Sequence, residues 1–177
     1  MNYYKGAKIV EECCKSKKTE KNLYGCTAAG SKGELCPKCG QAGQKVENIT
    51  VKSLVAENLI PEIGDEDYFL CTTPQCDVVY YNNDIGKTFC KSNLKIRVGF
   101  KETEDPIPVC YCANVTEKQI RDEIVIKKRA KNMQEIKQYT GAMTGGRCKY
   151  TNPSGKCCGA AVNAVIQKAL TALEDTK

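Results

Sequence analysis

The sequence predicts an α+β protein in which a small antiparallel β-rich domain precedes an all-α domain. Three observations carry that prediction. Short aromatic and β-branched runs separated by turn signals fill residues 36–105, whereas helix caps and apolar spacings near 3.6 residues fill residues 106–177. Charge changes at the same place: residues 36–105 hold eight basic against eleven acidic side chains, and residues 106–177 hold twelve against six. The acidic stretch Glu102 to Pro108 lies between them and reads as a linker. Residues 1–35 form a third unit, a polar cysteine-containing tail. Its charged run Lys15 to Lys21 and its small residues Ala28 to Gly33 predict disorder in the absence of metal.

Within residues 36–105, Ile49, Val51, Ser53 and Val55 alternate with their neighbours and predict a first strand. Tyr68-Phe69-Leu70 and Val78-Val79-Tyr80-Tyr81 predict two more, the second followed by the turn signal Asn82-Asn83-Asp84. Leu94, Ile96, Val98 and Phe100 alternate again and complete a meander. In the helical half, Thr116-Glu117-Lys118-Gln119 is a capping box, with Val115 and Ile120 placed to staple it. Asn132 with Glu135 opens a second helix that Gly141 closes. Val162, Val165, Ile166, Ala169, Leu170 and Leu173 share one face of a final helix that starts at Cys158 or Gly159.

Thirteen cysteines in 177 residues leave two classes, a disulfide scaffold or an intracellular metal binder. Met1 to Lys21 carries charges throughout and no apolar stretch of signal-peptide type, and no segment approaches the ~18 apolar residues of a membrane span. An odd cysteine count also fits a closed disulfide set poorly. The expectation is a cytoplasmic protein without membrane insertion, whose thiols are reduced or held by metal. Histidine is absent, which excludes Ser–His and Cys–His catalysis and a two-histidine Rieske ligand set. With no tryptophan and three phenylalanines, two regions of this size need staples beyond apolar burial.

The cysteines fall into groups. Cys36-Pro37-Lys38-Cys39-Gly40 is a metal knuckle, and Cys71 and Cys76 form a second pair at the end of the Tyr68–Leu70 strand. Four thiolates and no histidine point to one structural zinc with no open coordination position. Asp77, beside Cys76, is an alternative to one thiolate, and a metal-free pair or a redox disulfide are the competing readings. Cys110-Tyr111-Cys112, Cys148 and the pair Cys157-Cys158 form the second group. Alternate residues diverge too far for a disulfide but can hold two corners of a diamond-shaped cluster. The loop carrying Thr140-Gly141 and Gly145-Gly146 returns beside them, and the final helix directs its positive end at an anionic cluster. Cys90 is a lone thiol without an assigned role.

Cys110-x-Cys112, the stapled helix, Thr140-Gly141, Gly145-Gly146 and the last cysteines resemble the [2Fe–2S] domain of bacterioferritin-associated ferredoxin and of nitrogen-fixation scaffold proteins. Eight residues separate Cys148 from Cys157, more than is usual there. That insert, with Cys36-Pro37-x-Cys39, Tyr68-Phe69-x-Cys71, Cys76-x-Val78-Val79-Tyr80 and Pro108-Val109-Cys110-Tyr111-Cys112, is similar to the N-terminal region of CopZ-type copper chaperones, over residues 36–173 in matching order. The resemblance implies zinc on Cys36, Cys39, Cys71 and Cys76. It implies a [2Fe–2S] cluster on Cys110, Cys112, Cys148 and either Cys158 or Cys157. Cys158 is favoured because it adjoins the helix start.

The family's copper-carrying domain, with its Met-x-Cys-x-x-Cys loop, has no counterpart in these residues. Any copper site then falls to the tail thiols Cys13, Cys14 and Cys26, since soft thiolates suit monovalent copper; solvent thiols are the competing reading. The expected function is that of a metallochaperone-like protein, its one-electron transfer linked to copper handling. The alternative is a ferredoxin-like module that meets a redox partner through Lys127, Lys128, Arg129 and Lys131, although a solvated helix face is the favoured reading of that run. Each loaded site carries about −2, which brings the formal +6 down to roughly +2 and argues against nucleic acid. No nucleophile–base pair or phosphate loop supports an enzyme.

Overall fold

The computed structural model describes residues 34–175. The aromatic and β-branched runs become the centre of a four-stranded antiparallel meander, β1 (Gln44–Val46), β2 (Tyr68–Leu70), β3 (Val78–Asn82) and β4 (Lys87–Cys90), in the order β1-β2-β3-β4. Leu70 pairs with Gln44 on one side and Tyr80 on the other, and the Asn82-Asn83-Asp84 turn joins β3 to β4. Every residue of β3 is buried, as befits a strand covered on both faces. Tyr68, Tyr80, Phe89 and Val51 anchor the core of this half.

Two predicted strands are not strands. Ile49 to Val55 lies in helix α1 (Asn48–Leu54), whose buried residues are Thr50, Val51 and Leu54, while Ile49 is 39% exposed. Over seven residues, periods of 2 and 3.6 overlap, and burial follows the helical one. Leu94 to Phe100 makes only an isolated bridge from Leu94 to Val55 before breaking into the short turn Gly99–Lys101. There the backbone packs so tightly that a Cβ on Gly99 would overlap the Pro108 carbonyl. The stretch read as a linker is fastened rather than loose. Arg97 donates to Glu102 Oε2 at 2.7 and 3.1 Å and to the carbonyls of Glu104 and Pro106 at 3.0 and 2.9 Å.

The second half opens on a two-stranded ladder, β5 (Pro108–Cys110) with β6 (Val115–Thr116), and is otherwise helical. α2 (Glu117–Arg121) starts on the predicted capping box at Thr116 and Gln119 and runs into a π-type turn, Asp122–Ile126. α3 (Met133–Thr140) is capped by Asn132 and ended by Gly141 at φ +73°. α4 (Cys148–Thr151) and α5 (Gly159–Glu174) follow. Val162, Ile166 and Ala169 of α5 pack on Ile120, Ile124 and Ile136 to form a second core. Among the described residues no helix is long and apolar enough to cross a membrane.

Candidate metal centres

The Cys36–Cys39 turn is closed by the Gly40 amide, which donates to the Cys36 carbonyl at 2.8 Å, and Gly40 adopts φ +70°. Leu35 and Ala42 bridge across its base. Cys71 follows β2, its amide bonded to the Val79 carbonyl at 2.8 Å, and Cys76 ends the loop before β3. The four Sγ atoms of Cys36, Cys39, Cys71 and Cys76 all lie within 4.8 Å of one another. Cys36 and Cys76 are 3.9 Å apart, Cys39 and Cys71 3.7 Å. A tetrahedron with Zn–S bonds near 2.3 Å has edges of about 3.8 Å, so the donor set fits zinc.

Asp77 is not part of that group; it pairs with Lys38 at 4.0 Å. The sequence reading missed two residues here. Thr73 Oγ1 lies 3.3 Å from Cys39 Sγ, and the Lys101 ammonium donates to the carbonyls of Thr73 and Cys76. Burial pushes the Cys71 thiol up to about 12. At Cys39 burial acts in the same direction, but hydrogen bonds from Thr73, the Gln41 amide and the neighbouring thiols outweigh it and bring the group to about 7. Cys90 is not one of the four; it packs against their buried cluster from the end of β4, where it caps the turn Lys91–Asn93.

The second group is spread more widely. Among the described residues, no three of its thiols fall within the 4.8 Å that gathers the first set. That spread suits a core of two irons and not one ion. Cys110 and Cys112 hold their sulfurs 3.8 Å apart at the end of β5, and the Met143 amide donates to Cys110 Sγ at 3.2 Å. Cys148 is the first residue of α4. Cys158 is buried at the N-cap of α5; burial, then the Cys110 side chain, pushes its thiol above its ordinary value. Cys157 is exposed and lines a groove of about 530 Å³ with Tyr111 and Lys168.

The eight residues between Cys148 and Cys157 dock on the sheet half. Thr50 Oγ1 donates to the Lys149 carbonyl and Tyr80 Oη to the Pro153 carbonyl, each at 2.8 Å, while Lys149 pairs with Glu47 at 2.6 Å. Gly155, at φ +66°, packs on Thr50 where a Cβ would come within 2.8 Å of Oγ1. The insert was visible in sequence as a family resemblance, its docking surface was not. Cys13, Cys14 and Cys26 lie outside the described residues. The basic run is not a helix face: Lys127 and Arg129 turn back onto Glu123 at 2.7 and 2.5 Å, and Lys128 takes φ +52°.

Comparison with known proteins finds two matching families. Residues 33–95 match a family described as a zinc binding domain, and residues 108–168 match the BFD-like [2Fe-2S] binding domain. The copper chaperone CopZ of Archaeoglobus fulgidus is 43% identical over 123 residues, which is 70% of this chain and 57% of that protein. The chain therefore spans less than two thirds of that relative's length. The X-ray structure of the Archaeoglobus fulgidus CopZ N-terminal domain shares 40% identity at a TM-score of 0.65, covering 74% of this chain and 96% of that one.

Proposed function

Since the chain belongs to the family of CopZ N-terminal regions, binding zinc and a [2Fe–2S] cluster, we propose that it is a cytoplasmic metal-handling protein that passes single electrons to a protein partner. Residues 36–105 hold zinc through Cys36, Cys39, Cys71 and Cys76. Residues 106–177 hold the cluster through Cys110, Cys112, Cys148 and Cys158. The carrying observation is the sorting of the sulfurs into one compact set of four and one spread set. Cys158 is preferred to Cys157 because it is buried in one cluster with Cys110, whereas Cys157 is exposed.

A [2Fe–2S] cluster supplies one-electron exchange when bound. The chain's own part is to seat it. The Met143 amide donates toward Cys110 Sγ, Gly145 lets the backbone come against Cys112, and the N-terminus of α5 directs its dipole at the anion. No open ligand position or nucleophile–base pair enters this reading, so it assigns no catalytic step. Copper handling, by analogy with the relative's name, falls to the tail thiols Cys13, Cys14 and Cys26. Electron transfer without copper is the second reading. It is favoured because, among the described residues, assigning four thiols to zinc and four to the cluster leaves only Cys90, beside the zinc set, and Cys157, beside the cluster set, and no third group of thiols.

The test is anaerobic purification followed by metal and sulfide analysis and EPR after reduction. Zinc together with iron and acid-labile sulfide in equal amounts is the expected result, and a colourless, sulfide-free protein overturns it. Titration with monovalent copper, comparing the full chain with its Cys13→Ser/Cys14→Ser/Cys26→Ser variant, separates the two readings.

A further inference from the structure

Lys101 is 4% exposed, and a buried ammonium is costly unless its charge is answered. It lies in the turn Gly99–Lys101, reaching back across the sequence to the loop between Cys71 and Cys76. Its Nζ donates to the Thr73 carbonyl at 2.6 Å and the Cys76 carbonyl at 3.0 Å, with the Phe100 ring centroid 5.5 Å away. The nearby carboxylates are engaged elsewhere: Glu102 pairs with Arg97 at 2.7 Å and Lys91 at 4.0 Å, and Asp77 with Lys38. Among the described residues Lys101 joins no ion pair of its own. Its charge bears on the Cys71 thiol, one of four sulfurs that, loaded with one divalent ion, carry about −2.

We propose that Lys101 is the counter-ion and clamp of the zinc site, offsetting part of the tetrathiolate charge while holding the loop that presents Cys71 and Cys76. The proposal rests on the reading that these four cysteines bind zinc. Thr73 links the two roles, its carbonyl accepting from Lys101 and its hydroxyl lying 3.3 Å from Cys39 Sγ. Lys101 thus reaches both cysteine pairs, Cys76 directly and Cys39 through Thr73. It is a positioning residue, since it touches ligand-bearing backbone and no metal.

The experiment compares intact, cluster-loaded protein with Lys101→Met, Lys101→Arg and Lys101→Gln. It reads zinc release into a chromogenic chelator, thiolate-to-cobalt charge-transfer absorption after cobalt substitution, and melting temperature. Outer partners of metal ligands typically contribute 10–100-fold to affinity. Lys101→Met and Lys101→Gln are expected to lose zinc affinity on that scale and shift the cobalt band, and Lys101→Arg to stay within several-fold of wild type. Glutamine keeps a donor for the carbonyls without the charge, so it stands in for methionine should that variant fail to fold. Wild-type zinc release in the uncharged variants, even with a lowered melting temperature, overturns the proposal. Equal losses in the arginine and uncharged variants overturn it too. A wild-type protein that binds no zinc sinks the underlying site assignment instead, so the two failures are distinguishable.

Discussion

At Gly145 there is no room for a methyl group: a Cβ would lie 2.8 Å from the Cys112 carbonyl oxygen, 2.9 Å from its Cβ and 3.1 Å from its Sγ. Two of those atoms cannot swing aside, so Gly145→Ala must displace the Cys110–Cys112 turn, at the ~1–3 kcal/mol typical of overpacking. Iron content and visible absorbance should fall while zinc stays at the wild-type level, which serves as the internal control. Glu123 offers a different test. It is 5% exposed, and hydrogen bonds from Arg129 and then Lys127 hold its carboxyl down at about 2. A carboxyl depressed on folding stabilises the protein above its unfolded pKa of about 4.3, and that contribution disappears as pH falls through about 2. The stability gap between wild type and Glu123→Gln should be constant above pH ~5 and close between pH ~4.5 and 2. Urea midpoints across that range measure it, and acid loss of the cluster lowers both proteins alike.

Helix α2 has five residues, too few to be stable on propensity, so its cap carries unusual weight. Thr116 Oγ1 accepts from the Gln119 amide at 3.3 Å, and Gln119 Oε1 accepts from the Thr116 amide at 2.9 Å. Thr116→Ala should cost about 1 kcal/mol, a melting-temperature drop of roughly 4–8 °C for a domain of this size. This cap was legible in the sequence because capping is decided within four residues. So were β2 and β3, whose aromatic content leaves little choice, and both cysteine sets as residue patterns. α1 was misread because seven residues satisfy two periods at once, and β1 gave no signal in its three residues. Leu94 to Phe100 alternates correctly but finds no partner strand beyond the bridge to Val55, which no local pattern announces. The role of Lys101 and the docking of the Lys149–Lys156 insert were illegible for the same reason. Their contacts reach 28 and 99 residues along the chain, distances over which composition and spacing say nothing.

The two metal-bearing halves are packed together through that insert, and this joins the fate of one site to the other. Thr50, Tyr80 and Glu47 of the sheet half hold the very loop that runs from Cys148 to Cys157. The strands of the sheet half are only three to five residues long, so its ladders alone hold it weakly. A structural zinc contributes an apparent ~10–16 kcal/mol, comparable with the ~5–15 kcal/mol stability of a whole domain. Its loss should therefore melt the sheet, while α5 and its partners keep their own core. A Cys36→Ser/Cys39→Ser variant makes the measurement without a chelator that could also attack iron. Far-UV circular dichroism should lose its strand component and keep most of its helix component. The visible spectrum should bleach faster in air than that of wild type, because the released insert no longer steadies Cys148 and Cys158. Retained strand signal would mean that the tyrosine-rich core, and not zinc, holds the sheet. Unchanged bleaching alongside a melted sheet would mean that the insert keeps its shape through Asn152, whose side chain bonds the Lys156 carbonyl and the Ser154 amide at 2.8 and 3.1 Å, and needs no help from Thr50 or Tyr80.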